Sequence, residues 1–390
     1  MRKVLSDLFK KQSDFEVAAT ARNGKEAIEK VKELKPDLLT LDVNMPVMDG
    51  LNALAVIMDE CPLPVVMLSS LTQEGTEATV RALALGAVDF ISKAGASISR
   101  IDSIEPEILT KCRNAARAHV HKFRAGGKAE SMGTSRTTGV RHIELPQRHG
   151  YRAPTTAPPG TSAPAGSAYG SRRQNPLLLR KEQKQQEEQQ KVRAVHSSSG
   201  GSGKLVAIGT STGGPQALQN VITRLPGDLP CGVVVVQHMP AGFTKALADR
   251  LNNISAIAVK EAEDGEVIKP GHVYIAPGNY HMRVKGSGGV RKIALSQEPP
   301  VGNHRPAVNV MYDSVASIGR QLVSVIMTGM GSDGCEGMKK IKANGGYCIA
   351  QDEATCVVYG MPKAVVDAGL ADEVKPVELI ARAIVEAVKR

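Results

Sequence analysis

Apolar positions over the first 120 residues switch repeatedly between two periods. Stretches with apolar residues three and four apart predict helices at Lys3 to Gln12, Gly24 to Leu34, Leu51 to Glu60, Thr76 to Leu85 and Glu105 to Val120. Short apolar runs between them predict strands at Phe15 to Ala21, Asp37 to Leu41, Val65 to Leu68 and Val88 to Ile91. The same alternation returns at Lys204 and continues to Arg390. It predicts strands at 205–209, 232–236, 272–275, 292–296, 323–327 and 347–350. Helices are expected at 215–224, 242–252, 306–318, 335–343, 362–369 and 376–389. Strand and helix in alternation predict an α/β fold, here two doubly wound parallel-sheet domains. The pattern collapses in between, where Pro, Ser, Ala, Gly and Arg dominate. Low hydrophobicity and like charge cannot offset the entropy of ordering, so residues 121–203 are expected to be a long, basic, disordered linker between domains at 1–120 and 204–390.

Composition narrows the function classes. The 390 residues carry a formal charge of +10, no Trp and only 3% aromatics. Few aromatics argue against base-stacking platforms. No zinc-finger spacing, RNP string or basic helix with heptads accompanies the charge, so no nucleic-acid partner is expected. The six Cys form no CxxC and lie in apolar surroundings, as reduced thiols do. No signal peptide is evident and no apolar run approaches about 20 residues, so a cytoplasmic chain without membrane insertion is expected.

The chemistry-bearing residues cluster at strand ends. In the second half, three apolar runs end in different polar side chains. Leu205 to Gly209 leads into Ser211 in GTSTGG, Val233 to Val236 leads into Gln237-His238, and Val323 to Thr328 leads into GMGSDG with Asp333. A nucleophile, a base and an orienting acid just past three parallel strands would sit where open α/β sheets gather their ligands. A serine hydroxyl needs a histidine to take its proton and a carboxylate to fix that histidine's tautomer. Gly209 to Gly213 also fits G-x-S-x-G, but the order Ser, His, Asp differs from the Ser, Asp, His of α/β-hydrolases. A phosphate-binding loop is the competing reading of GTSTGG, which lacks the lysine of a Walker loop. His272, His281 and His304 are rival bases, His281 being expected near the same mouth. Asp333 has a second reading as N-cap of the helix near Cys335.

In the first half, LLTLDVNMPVMDG puts Asp42 at a strand end, VVMLSS does the same for Ser69, and VDFISKAG for Lys93. A carboxylate, a hydroxyl and an ammonium at neighbouring strand ends make a phosphorylatable pocket. These strings resemble a response-regulator receiver domain of flavodoxin-like fold. The resemblance implies that Asp42 is the phosphoacceptor, Ser69 the switch hydroxyl and Lys93 the phosphate-binding lysine. Receivers open with a strand followed by an acidic pair that binds Mg²⁺; this sequence opens at Met1-Arg2-Lys3, already inside what matches the first helix. A receiver lacking that strand and pair is expected to bind Mg²⁺ and take phosphate poorly, to inhibit weakly and to leave a high basal activity.

Behind it, VAIGTSTGGPQAL, VVVVQHMPAGFT, YIAPGNYHM, VIMTGMGSDGCEGM and QDEATCVVYGMPKAV follow in order. This half resembles the chemotaxis protein-glutamate methylesterases of the CheB type, with a Rossmann-like catalytic domain. The resemblance implies hydrolysis of glutamyl γ-methyl esters on chemoreceptors and deamidation of receptor glutamines. It assigns Ser211 as nucleophile, His238 as general base, Asp333 as its orienting acid, and Thr212 and Met330 as residues lining the oxyanion region, Met330 through its backbone N–H. It implies chemoreceptors as substrate and a chemotaxis histidine kinase as phosphodonor, with no cofactor or metal for catalysis. A receiver-coupled binding module without catalysis and a generic α/β esterase are the alternatives.

Overall fold

The computed structural model describes residues 2–70, 72–93, 101–118, 203–286 and 290–390. The expected linker at 121–203 lies outside them apart from Gly203. Among the described residues no helix is long and apolar enough to cross a membrane.

The first half is built from α1 (Arg2–Lys10), α2 (Gly24–Leu34), β1 (Leu39–Asp42), α3 (Gly50–Glu60), β2 (Val65–Ser69), α4 (Gln73–Leu85), β3 (Asp89–Ser92) and α5 (Ile101–Ala116). The three strands are parallel in the order β1-β2-β3. The middle strand is buried at every position, which is why it reads as an unbroken apolar run rather than an alternation. Helix starts are set by side-chain caps. Asn23, Asp49 and Thr72 accept from the backbone N–H of Glu26, Asn52 and Gly75, each cap stabilising its helix by about 1 kcal/mol.

One expected strand does not form: Phe15 to Ala21 carries no ladder. A strand needs a neighbour, and among the described residues β1 pairs only with β2. Instead, a cavity of about 810 Å³ separates Val17 and Ala19 from Leu39 and Leu41, with Leu5 and Leu68 also on its wall. The edge of β1 is therefore open.

The second half comprises β4 (Leu205–Thr210), α6 (Gly214–Ile222), β5 (Gly232–Gln237), α7 (Phe243–Ile254), β6 (Ala258–Glu261), β7 (His272–Ile275), β8 (His281–Lys285), β9 (Lys292–Ser296), α8 (Val308–Val315), β10 (Leu322–Ile326), α9 (Cys335–Ala343), β11 (Tyr347–Gln351), α10 (Met361–Asp367), β12 (Glu373–Lys375) and α11 (Val377–Lys389). Seven strands form one parallel sheet, β12-β11-β10-β4-β5-β7-β6, and β8 and β9 form an antiparallel hairpin. Sequence patterning misses β6, β8 and β12. The edge strands β6 and β12 are only three or four residues long and half-exposed, so they leave no apolar run to detect. The helix expected at 306–318 is shorter, giving way at Ala316 to a 3₁₀ turn in which Gly319 has a positive φ of 64°.

The two halves pack together through α4, which lies against α6 and α7. Phe90 of β3 meets Phe243 at the start of α7 with ring centroids 4.4 Å apart. Thr212 donates through its hydroxyl to the Asp89 carboxylate at 3.2 Å. None of the six cysteines is in a disulfide and five are buried. Burial pushes the thiols of Cys112 and Cys231 up to about 12, which keeps them protonated and unreactive.

Candidate active site

Strands β10, β4 and β5 are adjacent in the sheet and in register, Ile326 beside Gly209 and Gly209 beside Val236. All three run parallel, so their C-terminal ends open on the same side. Ser211, His238 and Asp333 follow these ends, and the structure brings them together. His238 Nδ1 lies 3.2 Å from the Ser211 hydroxyl, and Nε2 lies 2.8 Å from Asp333 Oδ2. The His238 and Asp333 side chains are 6% and 10% exposed, so solvent scarcely competes for either contact. A carboxylate only accepts, so Nε2 carries the proton and Nδ1 offers its lone pair to the serine O–H. The two nitrogens have exchanged the places they take in the chymotrypsin arrangement.

The Asp333 carboxylate does more than touch His238. Its two oxygens accept from the backbone N–H of Val308 at 2.7 Å and Asn309 at 2.9 Å, at the start of α8. The expected cap on the helix at Cys335 is absent; Gly334 sits there without a side-chain bond. Asn309 takes that role from across the gap, accepting from Gly334 N–H at 3.0 Å and Gly337 N–H at 2.8 Å. The two helix starts are thus capped reciprocally, which ties the acid to two elements. Burial pushes the Asp333 carboxyl upward. The His238 hydrogen bond and charge and the two N–H groups outweigh it and hold the group below its usual range.

Ser211 is fixed by a second layer of buried polar groups. Its N–H donates to the Thr328 carbonyl at 3.0 Å. Gln237, 2% exposed, donates to the carbonyls of both Ser211 and His238 at 3.0 and 3.1 Å, clamping the two turns together. The Thr328 hydroxyl donates to Thr212 O at 3.0 Å, and its N–H donates to the Gln351 side chain at 2.8 Å. Gly329 lets the β10 turn close on the serine, since a Cβ there would stand 2.8 Å from Ser211 Cβ. The N–H groups of Thr212 and Met330 have no acceptor among the described residues, and the Met330 side chain is exposed.

The rival histidines separate clearly. His272 Nδ1 contacts Pro270 O at 2.8 Å, and His281 is fully buried on β8 with Nε2 on Pro299 O at 3.1 Å. Among the described residues His281 makes no hydrogen bond to Ser211, His238 or Asp333. His304 does reach the site, stacked on His238. Gln237, Asn309, Thr328 and Gln351 were not picked out from sequence. Their signal is weak: an amide or hydroxyl at the end of an apolar strand, as at Gln237, Thr328 and Gln351, looks like the start of any loop, and Asn309 is one polar residue in the first turn of a helix.

In the first half, Asp42 Oδ2 is paired with Lys93 Nζ at 2.5 Å, and Asn44 N–H donates to Oδ1 at 3.1 Å. Ser69 is fully buried and points elsewhere, donating to the carbonyls of Gly75 at 2.9 Å and Ser70 at 3.1 Å. A single carboxylate with an ammonium already on it is a poor donor set for a divalent cation. No cluster of three His, Cys, Asp or Glu side chains able to hold a metal occurs among the described residues.

Two family profiles match the chain. The CheB methylesterase family profile matches residues 206–384, and the response regulator receiver domain profile matches residues 1–103. Protein-glutamate methylesterase/protein-glutamine glutaminase 1 of Oleidesulfovibrio alaskensis is 44% identical over 100% of this chain and 96% of its own length. The corresponding protein of Geobacillus kaustophilus is 43% identical over 99% of this chain and 95% of its own. The crystal structure of the Thermotoga maritima CheB methylesterase catalytic domain shares 49% identity, covering 48% of this chain and 98% of that one, with a TM-score of 0.46.

Proposed function

Since the chain belongs to the CheB methylesterase family, with a response regulator receiver domain ahead of the catalytic one, we propose that it hydrolyses glutamyl γ-methyl esters of chemoreceptors and deamidates receptor glutamines, with Ser211 as nucleophile. The observation that carries this reading is the relay from hydroxyl to imidazole to carboxylate, at 3.2 and 2.8 Å. Its relatives are named for both activities.

Ser211 Oγ attacks the side-chain carbonyl carbon while His238 Nδ1 takes its proton. Asp333 holds the opposite ring edge and stabilises the imidazolium that results. The carbonyl oxygen becomes an oxyanion, for which the free N–H groups of Thr212 and Met330 are the donors, each worth about 10²–10³ in rate. Collapse expels methanol from an ester or ammonia from an amide, which takes the proton back from His238. Water then adds to the acyl-serine by the reverse route, giving the glutamate carboxylate and restoring the hydroxyl. Ester and primary amide share the tetrahedral acyl intermediate, so one site serves both substrates.

The first half supplies regulation, with Asp42 as phosphoacceptor, a chemotaxis histidine kinase as donor, and Lys93 and Ser69 as the groups that answer the new charge. Ser69 already holds the Gly75 carbonyl inside α4, and α4 is the helix packed on the catalytic half. Asp89 bonds Thr212 next to Ser211. The first contact starts from the middle strand β2 and the second from β3, neither from the open edge of β1. This favours substantial restraint of the site over the weak inhibition expected from sequence. We place the chain in the cytoplasm, where receptor tails and the kinase would meet it. The test is methanol release from methylated receptor membranes by the wild-type chain and by Ser211→Ala. Equal release would overturn the assignment.

A further inference from the structure

One aromatic ring lies directly on the candidate base. The His304 imidazole stacks on that of His238 with centroids 3.8 Å apart and planes inclined by 10°. Among the described residues the His304 ring nitrogens make no hydrogen bond, so the ring's contact with the site is its face.

The backbone carrying the ring is fixed on both sides. His304 exchanges two backbone hydrogen bonds with Val301, at 3.0 and 3.1 Å. Arg305 anchors the next position through Asn279 Oδ1 and the carbonyls of Gln297 and Glu298. Four and five residues on, Val308 and Asn309 hold the Asp333 carboxylate through their N–H groups. One short segment therefore sets a ring over the base and positions the acid beside it.

Two hydrogen bonds through opposite ring nitrogens leave an imidazole free to tip about the line joining them. A parallel ring in van der Waals contact removes that freedom. We propose that His304 is a positioning residue that holds the His238 ring in the one plane where both of its hydrogen bonds are made, and that it carries no proton in the reaction. The inference rests on the Ser211–His238 relay proposed above. Burial, and then the neighbouring His238, hold the His304 imidazole down to about 4, with Asp333 pulling the other way. The ring is therefore neutral near pH 7. A neutral ring offers its π face to the imidazolium that forms beneath it, whereas a charged one would repel it.

The full-length chain is compared with His304→Phe, His304→Ala and His304→Gln for methanol release from methylated receptor membranes, with Ser211→Ala and His238→Ala as references. Phe keeps the stack and loses the nitrogens; it should retain kcat within about threefold. Ala and Gln lose the stack and should lower kcat about 10- to 100-fold with KM little changed, the scale of a misaligned catalytic group. Labelling of Ser211 by a fluorophosphonate should slow in the same order, a readout independent of receptor binding. If Phe falls to the level of His238→Ala, the nitrogens matter and His304 is a chemical participant. If Ala or Gln matches wild type, the stack does nothing. Either result overturns the proposal. Full activity in Ser211→Ala would instead overturn the function reading beneath it.

Discussion

Two constellations of polar residues sit at the C-terminal ends of neighbouring parallel strands in this chain, and only one is assembled. Ser211, His238 and Asp333 follow three adjacent strands inside a seven-stranded sheet, and each bonds the next. Asp42, Ser69 and Lys93 follow the three strands of a smaller sheet. There Asp42 and Lys93 pair, while Ser69 turns to the backbone of α4. Parallel topology alone explains why both triples converge. The difference lies in what surrounds the strands. β4 has a neighbour on each side and a layer of buried amides and hydroxyls behind its turn. β1 has an open edge over a cavity of about 810 Å³. The first arrangement is preorganised for one chemistry; in the second only Asp42 and Lys93 are joined directly.

The sharpest way to break this comparison is to remove the centre of the assembled site. Ser211→Ala should lower methanol release and glutamine deamidation together by about 10³-fold or more, leaving the fold intact because the half-buried hydroxyl supports nothing else. If the two activities separate, they do not share a nucleophile. Asp333→Asn should cost about 10³-fold in kcat, since an amide presents a donor where His238 needs an acceptor. Unlike the serine change, it should also destabilise the catalytic half by about 1 kcal/mol through the cap it gives α8. Urea unfolding of the two variants side by side separates these effects.

A smaller effect probes the contact between the halves. Asp89→Ala removes the acceptor of the Thr212 hydroxyl, and basal methanol release without phosphodonor should rise about fivefold, the equivalent of about 1 kcal/mol for one polar contact. Unchanged basal activity would mean that this contact does not restrain the site. Asp89 also pairs with Lys111 at 3.5 Å, so Lys111→Met serves as the control for lost charge.

Much of this was legible beforehand, for reasons that particular residues make plain. Buried parallel strands such as Val65–Ser69 and Gly232–Gln237 announce themselves as apolar runs, and the polar residue that ends each run is conspicuous. Ser211, His238 and Asp333 could therefore be singled out from three separate strings. Phe15 to Ala21 failed because strand formation is a property of a pair, and a segment's own pattern says nothing about its neighbour. The second reading of Asp333, as cap of its own helix, fails because N-capping is a local rule; the exchange with Asn309 crosses 24 residues of chain and has no local trace. Gln237 was visible only as the residue before His238, although it clamps both turns. The face-to-face contact of His304 depends on how a loop returns over the sheet, which periodicity does not encode.

The mildest perturbation is acid, which reaches the assembled site through His304 and Asp333. In the unfolded chain His304 takes a proton near 6.5; in the folded chain it does so only at about 4. Between these values the unfolded state binds more protons, so stability rises with pH and is lost on acidification. The loss from this group begins below about pH 7 and is complete once the pH has fallen through about 4. Asp333 acts in the same direction at lower pH, because its carboxyl is held down in the fold and its stabilisation is lost as it protonates. His304→Phe removes only the histidine contribution. The difference in urea midpoint between wild type and this variant should therefore change steadily in favour of the variant as pH falls from 7 to 4, then stay constant below. A difference independent of pH across that window would mean that the folded protein accepts a proton on His304 as readily as the unfolded chain does, and that the ring above His238 is not kept neutral by its surroundings.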